Sequence, residues 1–128
     1  MNYHFTKIVQ ISFDDAIRRV TEELKKEGFG VLTEIDVRET LKKKLNVDFR
    51  RYRILGACNP QFAYQALQAE DKIGTMLPCN IVVQETAAGD IEVSAVDPVA
   101  SMQAIQNPVL ARTAEEVRTK LRKVIDSL

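Results

Sequence analysis

The chain has 128 residues, 45% hydrophobic and 28% charged, which suits one soluble domain over residues 1–128 and leaves no room for two ordinary ones. Basic and acidic side chains each total 18, so the formal charge is +0, which argues against bulk nucleic acid or an anionic membrane as partner. No apolar run approaches the ~20 residues needed to cross a bilayer, and Met1-Asn2-Tyr3-His4 lacks the features of a secretory signal, so a reducing, cytoplasmic location is expected.

Residues 3–11 alternate, with Tyr3, Phe5, Val9 and Ile11 on one face, His4, Thr6 and Gln10 on the other, and Lys7 as the exception. That pattern predicts a half-buried strand. Ser12 reads as a helix N-cap, with Asp14 and Asp15 in the first turn where the helix dipole favours negative charge. Phe13, Ala16, Ile17, Val20 and Leu24 form a core stripe, and Gly28 is the expected stop. Phe29 to Ile35 returns to strand chemistry, and a short helix follows with Val37, Leu41 and Leu45 on one side. Arg51 to Cys58 is the next strand. Asn59 as cap and Pro60 as first helical residue then open a helix whose stripe is Phe62, Ala63, Ala66 and Leu67.

Met76 to Glu85 and Ile91 to Val96 read as a hairpin around Ala87-Ala88-Gly89-Asp90. Asp97-Pro98 repeats the cap-plus-proline device and starts a helix to about Ile105, which Asn107-Pro108 breaks. Thr113-x-x-Glu116 is a capping box before the last helix, which carries Ala114, Val117, Leu121, Val124, Ile125 and Leu128 on one side. The order β-α-β-α-β-α-β-β-α-α predicts an α+β fold, a mostly antiparallel sheet with helices packed on one face.

Chemistry concentrates at the two cysteines, in Ala57-Cys58-Asn59-Pro60 and Pro78-Cys79-Asn80. Cys58 falls where a strand ends and a helix begins, and a helix N-terminus stabilises a thiolate. If the two strands are neighbours, both sulfurs converge. The competing reading is a core role: Cys58 shares strand parity with Tyr52 and Ile54, and Cys79 with Leu77, Ile81 and Val83, so both could be small buried hydrophobes. The separation Cys-x20-Cys is not a zinc-finger or zinc-ribbon spacing, and there is one histidine, so zinc or another divalent metal would have to recruit carboxylates such as Glu34 or Asp97.

Glu34 and Asp36 share the strand face opposite Phe29, Val31, Thr33 and Ile35, and could be paired carboxylates. Capping of the helix at Val37 is the favoured role for Asp36, and capping again for Asp97. Arg38, Lys42, Lys43, Lys44, Arg50, Arg51 and Arg53 form a basic cluster that could meet an anion, with a solvated helix face as the plainer reading. Phosphate-loop and dinucleotide fingerprints are absent.

Four stretches together resemble the bacterial and archaeal family called domain of unknown function 302: Gly28-Phe-Gly-Val-Leu-Thr-Glu-Ile-Asp-Val37, Ile54-Leu-Gly-Ala-Cys-Asn-Pro60, Gly74-Thr-Met-Leu-Pro-Cys-Asn-Ile-Val-Val83 and Val96-Asp-Pro98. The resemblance implies a TATA-binding-protein-like α+β fold and a homodimer. It implies no established activity. Its motif positions fall on Glu34, Asp36, Cys58, Asn59, Pro60, Pro78, Cys79, Asn80, Asp97 and Pro98.

The functional expectation is a domain that binds a small ligand or a metal ion at the paired Cys-Asn motifs. Cys58, Asn59, Cys79, Asn80 and Glu34 are the candidate ligand-binding residues, and Cys58, Cys79 and Asp97 the candidate metal ligands. A thiol enzyme or redox protein is one alternative. A structural or interaction module with buried cysteines is the other.

Overall fold

Alternating side chains produce five strands in the computed structural model, which describes residues 2–128. The elements are β1 (His4–Val9), α1 (Phe13–Lys26), β2 (Gly30–Asp36), α2 (Val37–Leu45), β3 (Tyr52–Cys58), α3 (Pro60–Ala69), a 3₁₀ turn (Asp71–Met76), β4 (Cys79–Glu85), β5 (Ile91–Val96), α4 (Pro98–Ser101) and α5 (Pro108–Asp126). The strands lie in the order β1-β5-β4-β3-β2, and every neighbouring pair is antiparallel. The α+β expectation and the element order therefore hold, with the 3₁₀ turn added.

Register aligns the apolar positions across the sheet. Leu55 faces Ile81, which faces Ala95, and Ala57 faces Cys79. These side chains join Val20 and Leu24 of α1 and Leu121 and Val124 of α5 in one buried cluster. Each aliphatic side chain fully buried there contributes about 1.5–3 kcal/mol. A second cluster, Ala66, Ile73, Met102, Leu110 and Ala114, joins α3, the 3₁₀ turn and α5 beyond the sheet end.

Both ends of α1 follow their predicted chemistry. The Ser12 hydroxyl accepts the Asp15 N–H at 3.1 Å. At the far end Gly28 takes φ +86°, the Phe29 N–H reaches the Leu24 carbonyl and the Gly28 N–H reaches that of Lys25, so these two carbonyls at the end of α1 are satisfied. Lys7, the exception in β1, has a role of its own: its Nζ donates to the carbonyls of Leu128 (2.7 Å) and Asp126 (3.2 Å), a cation at the negative end of α5.

Four expectations are corrected. The last helix starts at Pro108, not near Thr113, because Asn107 caps it by accepting the N–H groups of Val109 and Leu110. Asn107-Pro108 is thus another cap-plus-proline start, and Thr113 lies inside the helix with its hydroxyl donating to the Val109 carbonyl. The strand expected from Met76 begins at Cys79, since the preceding residues wind into the 3₁₀ turn. The Val37-Leu41-Leu45 stripe does not reach the core, for α2 has no buried residue and Leu45 is well exposed. Tyr3 and Ile11 are exposed rather than core-facing. Among the described residues, no helix is long and apolar enough to cross a membrane.

Candidate functional site: a cavity walled by two thiols

Cys58 is the last residue of β3 and Cys79 the first of β4. The two strands are antiparallel neighbours with Ala57 opposite Cys79, so the end of one and the start of the other meet. Both cysteines line one cavity of about 340 Å³ at that end of the sheet. Its other walls come from α3 (Phe62, Ala63, Leu67), from Leu32, and from α5 (Leu110, Val117). Of the α3 stripe, only Ala66 is buried. Phe62 packs partly against the main core, and all four stripe residues also line this cavity.

The polar groups in the wall are already engaged. Asn59 sits at the N-cap position of α3 but makes no side-chain cap; its amide donates instead to the Glu27 carbonyl at 3.3 Å, tying the start of α3 to the end of α1. Thr113 spends its hydroxyl hydrogen on the Val109 carbonyl. What faces the cavity is therefore largely hydrocarbon and sulfur.

The two thiols differ. Cys79 is buried, and that burial pushes its thiol up to about 11, with the nearby Cys58 sulfur adding to the rise. At neutral pH it is an uncharged core side chain, as the core reading expected. Cys58 keeps the parity of Tyr52 and Ile54, but the core face of β3 belongs to Leu55 and Ala57, so Cys58 is half-buried rather than sealed. Neither thiol is in a disulfide.

The other candidate residues lie elsewhere. A register shift between Val31 and Thr33 changes the parity of β2. Val31 pairs with Ala57, and Glu34 and Asp36 pair with Leu55 and Arg53. Glu34 accepts a hydrogen bond from Arg53 at 2.8 Å and Asp36 one at 3.3 Å. Asp36 also caps α2 by accepting the Glu39 N–H at 3.0 Å, the role expected for it. Asn80 is exposed, one position from Cys79 and so on the opposite side of the strand. Asp97 is 5% exposed, accepts the Val99 N–H at 3.0 Å as cap of α4, and faces Arg118 Nε at 3.3 Å. Neither Glu34, Asn80 nor Asp97 lines the thiol cavity. Among the described residues, no group of three or more His, Cys, Asp or Glu side chains could hold a metal ion.

The basic cluster divides as well. Lys42 pairs with Asp48 and Lys43 with Glu39 on the exposed face of α2, while Arg38, Arg51 and Arg53 surround a cleft that also holds Asp14 and Asp36. Sequence reasoning missed the cavity wall supplied by α5. The one available signal was the α3 stripe, too apolar for a helix otherwise free to face solvent.

Comparison with known proteins agrees with the four motifs. The family described as "Domain of unknown function DUF302" matches residues 5–128. The chain is similar to a solved structure, the crystal structure of an uncharacterized conserved DUF302 protein from Bacillus stearothermophilus. Identity is 33%, the TM-score is 0.90, and the match covers 97% of this chain and 96% of the other. No curated protein matches. The chain belongs to the DUF302 family, as its Cys-Asn and Asp-Pro motifs imply.

Proposed function

We propose that the protein binds a small, mainly apolar organic ligand in the cavity between α3, α5 and the adjoining ends of β3 and β4. The observation that carries this reading is a concave site of about 340 Å³ whose wall is nearly all hydrocarbon, with a half-buried thiol at Cys58. Small-molecule sites have this character: mostly apolar walls and a few placed polar or polarisable groups. A concave apolar surface of this extent has no evident value to stability, because side chains facing it forfeit dispersion contacts that packing would supply. Zinc or another divalent ion is the weaker form of the proposal. Two thiols need further ligands, and Glu34 and Asp97 are committed to Arg53 and Arg118. The free thiols fit the reducing, cytoplasmic setting expected from the sequence.

The test uses N-phenyl-1-naphthylamine, an uncharged probe that fluoresces in apolar surroundings. Saturable binding is expected, and Ala63→Trp, which fills the cavity from its α3 wall, should weaken it about tenfold or more while leaving the circular dichroism spectrum unchanged. Absence of saturable binding, or full binding by the Trp variant, would refute the ligand reading.

A homodimer, implied by the family resemblance, belongs to the same proposal. Ile35, on the outer face of the edge strand β2, is 48% exposed, an apolar position that a second copy could cover. Sedimentation velocity should give twice the chain mass for the native protein and the single-chain mass for Ile35→Glu. A native protein sedimenting as a single chain at every concentration would end this part.

A further inference from the structure

A second cleft, separate from the thiol cavity, lies on the other side of α4. It measures about 250 Å³ and is lined by Asn2, His4, Phe5, Asp97, Arg118 and Arg122 among others. Arg118 and Arg122 are four residues apart on α5, so both guanidinium groups project from one face of the helix. Both also lie over the Phe5 ring, at 5.9 Å and 4.6 Å from its centre, an arrangement that limits their wandering.

The charge balance of this cleft is uneven. Its one carboxylate, Asp97, is divided between the Val99 N–H and Arg118. Arg118 Nε lies 3.3 Å from that carboxylate yet is buried and off the line of a hydrogen bond, so the ion pair is incomplete. Arg122 has no acidic side chain within 4.0 Å among the described residues, whereas Arg118 has one. Two guanidinium groups against one carboxylate leave the cleft cationic. On another wall His4 is held by a hydrogen bond between Nδ1 and Thr6 Oγ1 at 2.6 Å. A planar guanidinium presents paired N–H donors that match the oxygens of a phosphate or carboxylate, and here two of them are braced in advance.

We infer that this cleft is an oxyanion site, holding the phosphate or carboxylate group of a ligand on Arg118 and Arg122. Asp97 lies on the Nε side of Arg118 without a hydrogen bond to it, so the anion would complete the pairing of that guanidinium.

Amide chemical-shift titration of the full chain at low ionic strength tests this, with inorganic phosphate in one arm and acetate in the other. Saturable shifts confined to residues near Ala100, Arg118 and Arg122 are expected in at least one arm, and the arm that saturates names the oxyanion. Arg122→Gln should weaken binding by about tenfold or more, with partial recovery in Arg122→Lys. Arg112→Gln, elsewhere on exposed α5, should leave it unchanged. Shifts that fail to saturate in both arms, or equal weakening by Arg112→Gln and Arg122→Gln, would overturn the assignment.

Discussion

Asp97→Ala is expected to lower the melting temperature by roughly 4–11 °C, corresponding to a loss of about 1–3 kcal/mol. Two costs combine. The Val99 N–H at the start of α4 loses its acceptor, and loss of an N-cap costs about 0.5–2 kcal/mol. Arg118 loses the charge of its facing carboxylate; its Nε makes no hydrogen bond in the native chain, so this loss is that of a partly exposed ion pair alone, about 0.5–1 kcal/mol. Asp97→Asn separates the two, because the amide oxygen can still cap Val99 while the charge facing Arg118 is gone. It should lose about half as much. Thermal unfolding of the variants decides the matter. A loss below about 0.5 kcal/mol in the alanine variant, the range of ordinary surface changes, would show that neither contact matters to stability.

The contrast between what was readable in the chain and what was not follows the range of each signal. Ser12, Gly28 and the Asp97-Pro98 start act on residues one to four positions away, and all three behave as their chemistry requires. Asn107-Pro108 failed to read as a start because a proline after a short helix is as good a stop as it is a beginning. The nearby Thr113-x-x-Glu116 pattern then drew the boundary too late. On β2 a register shift after Val31, which leaves no mark in composition, turns Ile35 to the exposed face, so strict alternation wrongly placed Ile35 beside Phe29 and Val31.

The same limit applies to the site. That Cys58 and Cys79 would lie at one end of the sheet was legible, since a strand ending in one and a strand beginning with the other need only be antiparallel neighbours. The cavity beside them was not legible. Its far wall is built by Leu110 and Val117, which continue along α5 the same apolar stripe that carries Leu121 and Val124 in the core. Nothing in a periodic stripe tells which part of it meets a packed sheet and which part meets a hollow. Asp97 and Arg118 show a similar ambiguity. A capping aspartate is visible in sequence, but its arginine partner, supplied by a different helix, is not.

Cys79 yields the second large effect, a loss of stability at high pH. Burial holds its thiol at about 11 in the folded chain, against 9.0 for the ordinary group. The folded state therefore keeps its proton over a range in which the unfolded chain has released it. Below pH 9.0 the stabilisation from keeping this group neutral is fully present; it is lost as pH rises through about 11. The span corresponds to something on the order of 2–3 kcal/mol. Tyrosines and lysines titrate in the same range, so the informative quantity is the difference between the native protein and Cys79→Ala in urea-unfolding free energy. At pH 7 the alanine variant should be the less stable by about 1 kcal/mol, the cost of a small void in the core. From pH 9 to 11 the native protein should lose stability faster, closing and then reversing that gap. Alkylation followed by mass spectrometry supplies an independent check: at pH 8 iodoacetamide should modify half-buried Cys58 well before Cys79. Parallel pH profiles for the two proteins, or labelling of both thiols at one rate, would mean that Cys79 is neither buried nor neutral in solution, and the apolar wall of the cavity would have to be redrawn around an exposed thiolate.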